Sequence, residues 1–156
     1  MSAKRGGPQS SLRACPRISL LEIAGSHNVL LPGLCDDRAM RTTVLIVDDH
    51  DEFRVSASAL LEAEGFAVVG GAADGAAALA AVERLRPEVV LLDIQLPDLD
   101  GFAIAEQLAA APDSPRVVLI SSREATAYGP RLNAAPAHGF LAKRELSGAS
   151  LAALVG

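Results

Sequence analysis

The sequence predicts an α/β fold: a doubly wound parallel sheet of five strands with helices on both faces. Three observations carry this. From Thr43 onward, short continuous apolar runs alternate five times with longer segments of helical spacing. The first of them, 44–47, is apolar at every position, the pattern of a strand buried on both faces. Half of the 156 residues are hydrophobic, enough for one core of roughly 100 to 150 residues that folds without a disulfide or metal staple.

The first strand is read at 44–47, a run closed at once by acidic residues. Residues 52–64 follow as a helix with Phe53, Ala57, Leu60 and Leu61 at helical spacing, and Gly65 stands just past its end. The second strand is placed at 66–69, with Gly70-Gly71 as loop. Asp74 caps a second helix carrying Leu79, Val82 and Leu85, which Pro87 ends. The third strand spans 89–92 and the third helix 101–111, with Phe102, Ile104, Ala105 and Leu108 inward. A fourth strand spans 117–120. Residues 124–133 form a weaker helix, interrupted by Gly129 and Pro130, so that this face of the molecule is expected to be loosely held. A fifth strand at 138–141 and a short helix at 145–155 complete the pattern.

The first 41 residues keep neither period for long and contain Gly6-Gly7-Pro8, Pro16 and Pro32. They hold no apolar run long enough for a signal peptide or a membrane span. They are read as a flexible extension, with Met40 as an alternative start and residues 42–156 as the folded domain. Both cysteines, Cys15 and Cys35, fall in the extension with no zinc-like spacing, in keeping with a reducing cytoplasm. The net charge of -5 becomes -8 for residues 42–156, which hold 8 basic and 16 acidic side chains. That balance argues against direct binding to nucleic acid or an anionic membrane.

In open parallel sheets ligands bind beyond the carboxyl ends of the strands, where the strand order reverses. After the first strand come Asp48, Asp49, His50 and Asp51. The third ends in Asp93, the fourth in Ser121 and Ser122, and the fifth leads to Lys143. In a sheet of order 2-1-3-4-5 the first and third strands are neighbours and their terminal carboxylates converge. At about 4 Å, two such charges repel by roughly 4 kcal/mol at an effective dielectric near 20, so a cation is needed among them. Oxygen ligands with open positions suit magnesium, or manganese, and leave room for a phosphate. Lys143 fits the same pocket. The chain has two lysines against twelve arginines, and the other lysine, Lys4, lies in the extension.

Four segments, each at a strand end, together resemble the receiver domain of two-component response regulators. They are Val-Asp-Asp-His at 47–50, Asp-Ile-Gln-Leu-Pro-Asp-Leu-Asp-Gly at 93–101, Val-Leu-Ile-Ser at 118–121 and Gly-Phe-Leu-Ala-Lys at 139–143. Lys-Arg-Glu-Leu-Ser at 143–147 is most similar to receivers of the helix-turn-helix group (LuxR/NarL-like). Thirteen residues follow Lys143, enough for the last helix, so a stand-alone receiver without an output domain is expected.

The resemblance implies a flavodoxin-like fold with Asp93 as phosphoacceptor from a sensor histidine kinase. It implies magnesium held by Asp49, Asp93 and the backbone carbonyl of Gln95, with Asp48 acting through water. Lys143 would offset phosphoryl charge, and Ser121 and the aromatic Phe140 would form the switch. Gln95 and Arg123 match positions that tune loss of the phosphoryl group. The output surface would be the face of the fourth helix, fifth strand and fifth helix, read by a downstream protein. Receivers commonly have proline after the lysine; here it is Arg144.

Simpler readings apply to other residues. Asp98 and Asp100 shape and cap the turn into the third helix, and His50 covers the pocket edge. A rival reading, an aspartate-nucleophile phosphatase for small phosphoesters, needs an acid two residues after the nucleophile, where Gln95 stands. A phosphate-independent interaction module would be expected to lack Asp93 or Lys143. The chain is therefore expected to be no enzyme beyond its own phosphorylation and dephosphorylation.

Overall fold

The computed structural model describes residues 41–156. The expected extension, the alternative start at Met40 and both cysteines lie outside the described residues. The chain runs β1 (Thr43–Val47), α1 (Asp51–Ala63), β2 (Ala67–Ala72), α2 (Gly75–Leu85), β3 (Val89–Asp93), α3 (Gly101–Ala109), β4 (Arg116–Ser121), α4 (Pro130–Ala134), β5 (Gly139–Ala142) and α5 (Gly148–Val155). The five strands are parallel and ordered β2-β1-β3-β4-β5, as expected. No helix among the described residues is long and apolar enough to cross a membrane.

Alternate residues of a strand point to opposite faces, and the two faces build two cores. Leu45, Val47, Val90, Leu92, Val117 and Leu119 pack with Ala78 and Ala81 of α2 and Ile104, Ala105 and Leu108 of α3. Val44, Ile46, Val89, Leu91, Val118 and Ile120 pack with Ala57 and Leu61 of α1 and Leu151 and Val155 of α5. Each fully buried aliphatic side chain is worth about 1.5–3 kcal/mol, which is why the strands read as unbroken apolar runs.

Three elements differ from the sequence reading. Gly70 and Gly71 belong to β2 and are not loop; the register slips by one residue opposite Val44 and Leu45. A Cβ on Gly70 would lie 2.8 Å from Leu85 Cδ1, so this glycine marks the close approach of α2 to the sheet. The expected helix over 124–133 splits into a 3₁₀ turn at Ala125–Ala127 and the five-residue α4. Gly129, at φ 51, and Pro130 at the first helical turn cause the break. The last helix begins at Gly148, not near Glu145. Ser147 and Ser150 cap each other's backbone there, while Lys143–Glu145 forms a 3₁₀ turn.

Candidate phosphoacceptor site

The strand order sets the site. The chain leaves β1 for β2 on one side and returns past β1 to β3, so the carboxyl ends of β1 and β3 lie side by side. Asp48 prolongs β1, its N–H donating to the Ala72 carbonyl at 3.0 Å, and Ile94 prolongs β3 by donating to Ile120 at 3.1 Å. These ladder bonds hold the backbone on either side of the pocket.

The loop after Asp93 folds back over its own start. Gln95 and Asp100 form an antiparallel bridge, and Gly101 N donates to the Ile94 carbonyl at 2.9 Å. A Cβ on Gly101 would lie 2.5 Å from the Asp93 carbonyl oxygen and 2.7 Å from Ile94 Cα. Only glycine fits between the start of α3 and the backbone that carries Asp93. Asp100 caps α3 through Phe102 N at 3.0 Å, as expected.

Asp98 does more than shape its own turn. It accepts from Leu99 N within its own turn, and it also reaches the first turn of α2, accepting from Gly75 N at 2.7 Å and Ala76 N at 3.0 Å. The Gly75 and Ala76 N–H groups hold its carboxyl below the ordinary value, outweighing slight desolvation. Its stabilisation is present above the unfolded carboxyl value of about 3.9 and is lost as pH falls through the lower folded value. Asp98→Ala should therefore melt below wild type at pH 7, and melts followed into acid should show the gap closing.

Asp48 and Asp93 are both buried, and Lys143, with its side chain 13% exposed, stands between them. Its ammonium donates to Asp93 Oδ2 at 3.1 Å and ion-pairs with Asp48 Oδ2. Burial works against the charged lysine, but the two carboxylates overcome it and raise its pKa. Phe53 lies beneath the ammonium, 4.7 Å from ring centroid to nitrogen. Asp93 Oδ1 accepts from Gln95 N at 3.1 Å. Burial raises the Asp93 pKa, and the Gln95 N–H and Lys143 only partly offset it.

Asp49 lies at the exposed rim with His50, whose Nδ1 is 2.9 Å from Asp49 Oδ1 and 3.1 Å from Asp48 Oδ1. Ligand atoms of Asp48, Asp49, His50 and Asp93 all lie within 4.8 Å of one another. Three carboxylates against one ammonium leave an excess negative charge. Asp48 Oδ2 accepts no hydrogen bond among the described residues and is met only by the charge of Lys143. A hard, oxygen-seeking divalent cation fits this donor set.

Ser121 closes the far side. It is 1% exposed, and its Oγ accepts from Arg123 N at 3.1 Å and lies 2.6 Å from the Tyr128 hydroxyl. Phe140 is half-buried and packs against the α2–α3 core. Arg144 ion-pairs with Glu124, and the bond joining it to Lys143 is trans. Two contributors escaped the sequence reading. Arg54 donates to the Asp48 backbone carbonyl, and Tyr128 partners Ser121. Each lies six or seven residues beyond a motif residue that it contacts, outside the motif itself, and no spacing rule in a single sequence marks it.

Comparison with known proteins bears on the family and the fold. The family model for the response regulator receiver domain matches residues 44–154. The response regulator GacA of Pseudomonas viridiflava is 34% identical over 113 residues, covering 72% of this chain and 51% of that protein. Protein-glutamate methylesterase/protein-glutamine glutaminase 5 of Myxococcus xanthus is 46% identical over 80 residues, 51% of this chain and 23% of that one. Among solved structures, the signal receiver domain of NarL from Mycobacterium tuberculosis matches at 34% identity and a TM-score of 0.66, over 74% of this chain and 98% of that one. The chain spans about half the length, or less, of these curated relatives.

Proposed function

Because the chain belongs to the response regulator receiver domain family of two-component systems, we propose that Asp93 accepts a phosphoryl group from a sensor histidine kinase. The domain would then signal to a protein partner by a change of conformation. The observation that carries this reading is the buried Asp93 carboxylate held between Lys143 and Gln95 N, with two further carboxylates beside it.

In the step itself, a carboxylate oxygen of Asp93 forms a new P–O bond as the P–N bond of the donor phosphohistidine breaks, and the imidazole leaves with the electron pair. Gln95 N, bonded to Oδ1, orients the carboxylate, and the Lys143 ammonium offsets charge on the arriving phosphoryl oxygens. Asp49, Asp93 and the Gln95 carbonyl would hold magnesium, with Asp48 acting through water. Bound there, the metal would neutralise the transferring group. Ser121 then turns its hydroxyl to the phosphoryl oxygen and Phe140 fills the space vacated, changing the α4–β5–α5 face that the partner reads. Gln95 and Arg123 flank the acceptor and the hydroxyl, where they tune hydrolysis.

In this reading the chain is cytoplasmic and has no enzymatic activity on other molecules. Neither nucleic acid nor membrane is a direct partner, which the acidic balance of residues 42–156 supports. The phosphatase alternative still wants an acid at 95.

The test is direct. Incubated with magnesium and acetyl phosphate, the wild-type chain should gain one phosphoryl group by intact mass, located at residue 93 by fragmentation and suppressed by a chelator. A chain that gains none refutes the reading.

A further inference from the structure

The segment 125–134 has no buried residue in either its 3₁₀ turn or α4. Apolar packing there is limited to partly buried side chains such as Leu132, and two polar or aromatic tethers add to it. One is Arg131, which ion-pairs with Asp100 at 2.6 Å and lies over the Phe102 ring at 4.5 Å. The other is Tyr128. Its ring packs edge-on against Phe102, centroids 5.9 Å apart, and against Phe140 at 6.1 Å. Its hydroxyl meets Ser121 Oγ.

That contact competes with the switch. A serine hydroxyl has one proton to donate and two lone pairs. Ser121 accepts from Arg123 N and lies at bonding distance from the Tyr128 hydroxyl; its third position stays open, so the competition is one of direction and not of number. To bond a phosphoryl oxygen on Asp93, Ser121 must turn toward the pocket, and the tyrosine bond is then strained or broken. We propose that Tyr128 is a positioning residue, a latch that holds Ser121 and the start of α4 in the resting arrangement. Movement of Ser121 to the phosphoryl group releases the Phe102–Tyr128–Phe140 ring contacts, and with them the segment 125–134. The latch rests on the phosphoacceptor reading above and supplies its route to the output face.

The chain contains one tyrosine and no tryptophan, so its tyrosine emission reports on Tyr128 alone. Loading of wild type, Tyr128→Phe, Ser121→Ala and the double variant with acetyl phosphate and magnesium is followed by intact mass. Emission is recorded for the two proteins that keep the tyrosine. Phenylalanine keeps the ring and removes the hydroxyl. Tyr128→Phe should load about fivefold faster than wild type, the factor one typical net hydrogen bond is worth, because the latched population is released. In the Ser121→Ala background the same substitution should change nothing, since the latch is already gone. Wild-type emission should change on loading, and that of Ser121→Ala should not. A general packing role predicts instead the same effect of Tyr128→Phe in both backgrounds, and that result overturns the latch. So does a wild type that loads with no change in emission, or a Tyr128→Phe that loads at the wild-type rate. A wild type that takes up no phosphoryl group overturns the phosphoacceptor reading and the latch with it.

Discussion

Asp93→Asn is expected to take up no phosphoryl group and yet to melt at a higher temperature than wild type when metal is chelated. The first effect follows from chemistry: a neutral amide supplies no carboxylate oxygen to form the P–O bond. The second follows from the raised pKa of Asp93, whose main cause is burial. A carboxyl that ionises less readily in the folded chain than in the unfolded one costs stability wherever it is ionised. The cost sets in as pH rises above the unfolded value of about 3.9 and is complete above the folded value. The gap between variant and wild type should therefore close as pH falls to 3 and widen as pH rises from there. At the magnesium site proposed above, the metal should raise the melting point of wild type, as any ligand of the folded state does, and do much less for the variant. A variant that melts below wild type at pH 7 in chelator would contradict this account of the pocket.

Lys143→Met should act in the opposite sense and more strongly. Methionine keeps an apolar stem of similar length over Phe53 but leaves Asp48, fully buried, and Asp93, nearly so, without their shared cation. Removing one partner of a buried ion pair costs about 3–5 kcal/mol. For a domain with a total stability of about 5–15 kcal/mol that is a large fraction. Urea unfolding in chelator should show the loss. Magnesium should restore part of it, because a divalent cation at the carboxylates replaces the missing charge; saturation at about 100 times the dissociation constant is worth about 2.7 kcal/mol. Unfolding identical to wild type in chelator would mean that Lys143 is not what holds the carboxylates together.

Much of this was legible in the sequence, and the reasons are physical. Strands covered on both faces must be apolar at each position, so β1, β3 and β4 stood out as unbroken runs. A polar residue that closes such a run lies at the sheet's edge, so Asp48, Asp93, Ser121 and Lys143 could be assigned to one rim from the strand order alone. Where the reading failed, packing overrode local preference. Gly70-Gly71 has the composition of a turn, but the proximity of Leu85 to Gly70 and of Arg54 to Gly71 favours residues without side-chain bulk inside β2. The cap of α5 is made by two serines in place of the serine and glutamate that usually mark it. Asp98 bonds to backbone 23 residues away, and Tyr128 meets Ser121 across the break before α4. Neither contact has a local signature.

The sheet is one backbone thick and divides the interior into two compartments with no apolar side chain in common. Side chains of both halves reach the upper rim: Phe53 from the α1 side lies under Lys143, and Tyr128 from the other side meets Ser121. The sheet is thus a partition whose upper rim is met from both sides. A change at this rim therefore touches both compartments, Phe53 through Lys143 and Tyr128 through Ser121, whereas a substitution inside one core faces the other only across the sheet.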